Sequence, residues 1–197
     1  MKILKSFAFF ILASAAVFAQ KSEWSFDKAH SQVKFTVTHM LISEVDGHFK
    51  SFDGKVITNG NDFTDAEISF EIETKSIDTD NEKRDNHLRS DDFFNAEKFP
   101  KISFKSKSLK KTGNNKYKLV GDFTIRDITK EVVLDVTQGG VVKDGYGNEK
   151  AGFKITGTIN RFDYNLKWNA FMETGGMVVG EDVDIACNIQ LVKKAES

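Results

Sequence analysis

Residues Ser76–Ser106 read SIDTDNEKRDNHLRSDDFFNAEKFPKISFKS. The stretch holds the chain's single proline, Pro100. A charged, Asn-rich run from Asp78 to Asp92 interrupts what is otherwise a long succession of alternating apolar and polar residues. Asn81 to Leu88 suits about two helical turns, with Asp80 or Asn81 as N-cap. Phe93 and Phe94 follow, and Phe99-Pro100 leads into a new strand, Lys101 to Ser106. A helix this short cannot bury Leu88, Phe93 and Phe94 alone. It must fold back as a lid over something apolar that the strands make.

The flanking sequence supplies those strands. Upstream, Trp24 to Phe26 starts a short strand, and Asp27 to Ser31 makes a turn. Asp27, His30 and Ser31 are too close in one turn to serve as a catalytic triad, whose members come from separate elements. A hydrogen-bonded turn with Asp27 capping local amides fits better. Val33, Phe35, Val37, His39 and Leu41 alternate with polar partners, and a second strand opens at Val45 and continues through Phe52 and Gly54 to Val56. Asn59 to Asp62 is a turn, and Ala66, Ile68, Phe70 and Ile72 form an apolar face opposite Glu67, Glu71 and Glu73. Downstream, Lys110 to Lys116 is a hairpin loop. Tyr117 to Ile125, Val132 to Val136, Phe153 to Ile159 and Val183 to Leu191 repeat the alternation. Gly139-Gly140 and Asp144 to Asn148 read as turns, and Arg161 to Gly180 breaks the pattern.

About eight alternating strands with mostly short connections argue for an antiparallel up-and-down barrel or a sandwich. Parallel pairing would need helical crossovers, and only one short helix is visible. A barrel of this size is either filled by side chains or holds one small ligand. The inward set is Phe, Ile and Val, so a guest would be apolar, but the same residues could pack as a solid core. Gly121, lacking a side chain, leaves room for a ligand chain beside Phe123 on its strand.

The 197 residues make one domain with a substantial core. Lys2 and Lys5, an apolar run from Phe7 to Phe18 and the small residue Ala19 have the form of a secretory signal cleaved after Ala19, leaving residues 20–197 as the mature domain. Losing those two lysines moves the formal charge from −1 to −3, which argues against nucleic acid as a partner. The single cysteine, Cys187, excludes an internal disulfide and sits inward, as an inert core residue. His39, His48, His87 and Asp85 have no metal-binding spacing, so no metal is expected.

The central stretch resembles the signature of the YceI-like family of lipid- and polyisoprenoid-binding proteins. Ile77, Thr79, Arg84, Asp85, His87, Leu88, Ser90, Phe93, Phe94, Pro100, Ile102, Phe104 and Ser106 all fall in place without a gap. The likeness extends to FDKAHSQVKFTVTHM, LVGDFTIRDITKEVVLDV and NRFDYN. Two positions depart from it: Asp127, where the family often has Gly, and Tyr164, where it has a small residue. The second bears on the shape of one end of the barrel.

The resemblance implies an all-β fold: an antiparallel, eight-stranded, extended lipocalin-like barrel with one short helix as lid. It implies a periplasmic protein that holds a long isoprenoid or another amphiphile and does no chemistry. The expected lipid-facing interior is Phe35, Val37, His39, Phe49, Phe70, Ile72, Leu88, Phe94, Phe104, Phe123, Ile125, Phe153, Ile155, Phe162 and Trp168. Head-group candidates are Arg84, Asp85, His87, Arg126 and Arg161, arginine matching phosphate through its planar fork. No cofactor beyond the lipid, no nucleic acid and no stable membrane insertion are expected, and a homodimer is left open. Two other readings stand beside the carrier: an enzyme or accessory factor in isoprenoid-quinone metabolism or electron transfer, and a stress-related envelope protein with a filled core.

Overall fold

A computed structural model describes residues 21–59, 62–173 and 175–195. The proposed signal segment lies outside the described residues, as does part of the Asn59–Asp62 turn. Eleven strands are present: β1 (Lys21–Phe26), β2 (Gln32–His39), β3 (Ser43–Phe49), β4 (Phe52–Asn59), β5 (Asp62–Glu73), β6 (Ile77–Asp78), β7 (Lys101–Gly113), β8 (Lys116–Ile125), β9 (Ile128–Lys143), β10 (Glu149–Asn160) and β11 (Val179–Lys193). Among the described residues the one α-helix, α1, spans Glu82–Arg89.

Eight strands close an antiparallel barrel in the order β1-β4-β5-β7-β8-β9-β10-β11, with β1 pairing back onto β11. Closure satisfies the strand edges that an open sheet would leave exposed. β11 is long enough to take two partners end to end. Its C-terminal part pairs with β1 at Phe26↔Leu191, and the part before it pairs with β2 at Gln32↔Asn188. β3 and β4 are likewise successive pieces of one interrupted path, broken at Lys50–Ser51. β4 pairs along β5, whereas β3, paired along β2 on one edge, meets on its other edge the two residues of β6. The upper wall is therefore incomplete between β6 and β7, and the chain from Thr79 to Pro100 fills that gap.

The interruption between β1 and β2 is pinned to β11. Gln190 Nε2 donates to Asp27 Oδ2 at 2.8 Å, His30 Nδ1 lies 3.0 Å and Lys150 Nζ 3.3 Å from the same oxygen, and Ala29 N donates to Oδ1 at 3.2 Å. Burial works against ionisation of Asp27, but the His30, Lys150 and Gln190 hydrogen bonds outweigh it and bring its pKa down to about 2. The folded carboxyl is more acidic than the unfolded one, so its contribution is complete above the unfolded pKa and is lost as pH falls through the folded value. Asp27→Asn should cost about 2 kcal/mol at neutral pH. Urea unfolding of both proteins should show that gap closing between about pH 4 and pH 2. A gap independent of pH would contradict this role for Asp27.

Three local expectations are corrected. The pair Gly139-Gly140 is not a turn. It lies inside β9, where the register against β10 shifts at Gly152/Phe153 and Gly140 takes φ 125°, so the pair absorbs a bulge. The β2 alternation stops at His39, because Met40 and Leu41 turn the chain with φ of 54° and 62°. The run from Val45 to Val56 is two strands, not one.

Candidate functional site

The barrel interior is not filled. A cavity of about 230 Å³ lies within it, more than the roughly 150 Å³ of a dry apolar site that takes a benzene-sized guest. Val56 and Phe63 line it near the β4–β5 end, Leu119, Phe123, Ile155 and Cys187 along the strands, and Leu88, Phe93 and Phe94 beneath the lid. Alternation along each strand accounts for this wall, since successive side chains point to opposite faces.

Two glycines shape the wall by letting aromatic rings lie flat against it. The Phe35 ring lies over Gly47, its partner on β3, where an added Cβ would come within 2.2 Å of Cζ. The Phe104 ring lies over Gly121 in the same way, at 2.4 Å. The room expected beside Phe123 is therefore taken by Phe104. The open space lies further in, toward the axis.

Of the expected interior residues, Phe35, Val37, Phe49, Phe70, Ile72, Leu88, Phe94, Phe104, Phe123, Ile125, Phe153 and Ile155 line the cavity. His39, Phe162 and Trp168 do not. His39 ends β2 half-buried at the rim, paired with Ser43 and Val179. Phe162 lies under the Arg161 guanidinium, 4.6 Å from its ring centre. Trp168 packs against the lid, with ring centres 4.8 Å from His87 and 5.3 Å from Phe93. Leu166 and Val179 line the cavity from the irregular β10–β11 connection and the start of β11, where no periodicity marked them.

The lid is held at both ends. At its start, Asn81 caps α1 by accepting from Arg84 N at 3.0 Å. The buried Asp85 accepts from Thr79 N at 2.9 Å and from its hydroxyl at 2.5 Å. Arg84 donates to Thr79 Oγ1 at 2.8 Å and to the Thr79 carbonyl at 2.7 Å. At its end, His87 Nε2 lies 2.8 Å from Asp92, and Arg126 donates to the Phe93 carbonyl at 2.9 Å. Between them, Phe94 meets Phe49 edge-on at 6.2 Å. Arg84, Asp85, His87 and Arg126 do not line the cavity. Their hydrogen bonds fasten the lid.

Arg161 differs from these four. It is 3% exposed and lines the cavity. Nε donates to the Gly180 carbonyl at 2.7 Å, Nη1 to the Leu166 and Trp168 carbonyls, and Nη2 to the Val179 carbonyl at 3.1 Å. Among the described residues no carboxylate lies within ion-pair distance of it. Burial lowers its pKa, partly opposed by Glu181, yet a guanidinium stays charged in a protein. A positive charge held by neutral carbonyls thus stands at the wall of a space lined otherwise by apolar residues and the exposed Lys34. Tyr164, the second departure from the family pattern, stands behind Phe123 with ring centres 5.8 Å apart, and does not line the cavity itself. Burial raises its pKa to about 12, and its hydroxyl is buried without a hydrogen-bond partner.

Cys187 is buried in the cavity wall, and burial raises its pKa to about 11. The thiolate is the reactive form, so maleimide labelling of the native protein should be slow at neutral pH and accelerate on unfolding. Rapid native labelling would show that the last strand is slipped by one residue.

No helix among the described residues is long and apolar enough to cross a membrane. The sequence matches the YceI-like domain over residues 24–191. A UPF0312 protein of Staphylococcus aureus (strain N315) is 44% identical over 163 residues, covering 82% of this chain and 92% of the relative. The fold is shared with Burkholderia cenocepacia BcnA, at 24% identity and TM-score 0.71 over 84% of this chain and 98% of that one. It is shared too with a polyisoprenoid binding domain from Saccharophagus degradans, at 14% identity and TM-score 0.65 over 87% and 98%. With the family match spanning the barrel, its lid and most of the closing strand, the chain belongs to the YceI-like family.

Proposed function

We propose that this protein is an exported carrier that holds a long-chain isoprenoid or similar amphiphilic lipid, its chain in the barrel and an anionic head group drawn to Arg161. The observation that carries this is one buried cation, Arg161, with no carboxylate in ion-pair distance among the described residues, in the wall of a cavity lined otherwise by apolar residues and the exposed Lys34. A phosphate or carboxylate there would take the one guanidinium N–H that donates to no carbonyl, on Nη2, with no carboxylate among the described residues already in ion-pair distance. The Saccharophagus domain is described as polyisoprenoid binding. At 14% identity that likeness is one of fold, so the chemistry of the cavity bears the weight.

A carrier without catalysis suits this interior. Among the described residues its wall offers no carboxylate or imidazole for proton transfer, and its thiol is held protonated. Export fits the sequence around Lys2, Lys5 and Ala19, with the mature chain starting at Gln20 in the periplasm; N-terminal sequencing of envelope fractions checks this.

The head-group assignment is tested by competition between two lipids of equal chain length, one phosphate-headed and one a neutral alcohol, for the delipidated protein. A charge-assisted bond is worth about 1.5–3 kcal/mol, so the phosphate form should bind at least about tenfold more tightly. Equal affinities would remove Arg161 from the head-group role, and no binding of either would remove the carrier.

A further inference from the structure

The end of the barrel that carries the lid also carries apolar side chains that nothing covers. Leu41 is 70% exposed, Ile42 85% and Phe171 81%. Leu41 and Ile42 sit in the β2–β3 turn, closed by Ile42 N donating to the His39 carbonyl at 3.3 Å. Met40 and Leu41 occupy the two left-handed positions of that turn, where glycine and asparagine are favoured. Large apolar residues are thus kept where both solvent exposure and backbone conformation disfavour them. Strain of this kind persists where the surrounding structure enforces it, and it concentrates at functional sites.

The second tip stands beside the first. Met40 N donates to the Val178 carbonyl at 2.7 Å, and Leu41 lies against Gly176 in the loop that carries Phe171. Both tips adjoin the cavity wall. Val37 lies three residues before Met40, and Val179 directly follows Val178; both line the cavity.

We propose that these two tips dock the protein onto a lipid bilayer, so that lipid passes between bilayer and cavity at this end. The proposal rests on the carrier reading. Two exposed turn tips beside the wall of an apolar cavity suit a fluid surface into which they can sink, rather than the flat complementary patch of a protein partner. The exposed charges within two residues of the tips, Glu44 and Glu173, are acidic, and the exposed Lys167 lies four residues before Phe171. Attraction therefore comes from apolar insertion, and anionic lipid should not strengthen it.

The test is flotation of the mature protein with phosphatidylcholine vesicles, with and without phosphatidylglycerol. Wild type should float with the neutral vesicles, and added phosphatidylglycerol should not increase the bound fraction. The variant L41S/I42S/F171S should lose at least tenfold in partitioning while keeping its thermal transition and its retention of a fluorescent long-chain lipid loaded from detergent. Leu41→Asn separates docking from folding. Asparagine suits the left-handed turn, so this variant should melt higher than wild type yet bind vesicles more weakly. Wild type that does not float, or a triple variant that floats as well as wild type, overturns the proposal. So does wild type that dimerises through these tips and leaves vesicles alone. If wild type floats but retains no loaded lipid, docking stands and the carrier reading fails.

Discussion

Arg161→Ala is expected to destabilise the barrel by at least about 4 kcal/mol, among the largest effects of any single substitution here. The side chain is 3% exposed and donates to four backbone carbonyls, those of Leu166, Trp168, Val179 and Gly180. Those carbonyls belong to the irregular β10–β11 connection and to the start of β11, which no regular ladder ties together. Each buried acceptor left without a donor costs about 1–3 kcal/mol. Arg161→Lys should recover little, because an ammonium cannot reach four acceptors spread across a planar fork. Urea unfolding of delipidated wild type and both variants measures this. A loss below about 1 kcal/mol, within the range of ordinary exposed positions, would mean that the connection is held by other contacts.

Cys187→Trp should have the largest effect on binding. Cys187 pairs with Val33 and Ile155 across β2 and β10, and its side chain lines the cavity. An indole placed there occupies the space a lipid chain would use, and lipid occupancy should fall at least about tenfold, the equivalent of about 1.4 kcal/mol. In a solid core the same change would overpack and cost about 1–3 kcal/mol of stability. In a hollow barrel the ring has somewhere to go, so the delipidated variant should unfold close to wild type. Cys187→Ala, which leaves the space open, should bind lipid as wild type does. A strongly destabilised Trp variant with unchanged lipid content would contradict the hollow interior.

Much of this arrangement was legible in the sequence because strand alternation has a fixed period. Phe35, Phe70, Phe123 and Ile155 each lie on a clean alternation, and each lines the cavity. The lid was legible for a related reason: Leu88, Phe93 and Phe94 had no apolar surface of their own, and they cover the gap between β6 and β7. What period and composition cannot express is where an individual polar group goes. Arg84, Asp85, His87, Arg126 and Arg161 were one class of cation or acid near a rim. Hydrogen bonding separates them, with Arg161 facing the cavity and the other four tying down the lid. Trp168 and Phe162 were misplaced because the β10–β11 connection has no period to read. Gly121 misled because a missing side chain looks like space until the Phe104 ring is seen lying over it.

Extraction and mass spectrometry of the protein purified from its native envelope, without detergent, bears most directly on the lipid-filled barrel. A long-chain amphiphile with an anionic head group should be recovered at roughly one per protein, and should be lost from Cys187→Trp prepared alongside. Protein that carries no lipid, and that takes up none when delipidated and offered phosphate-headed or neutral chains, would show that the cavity is not a lipid site.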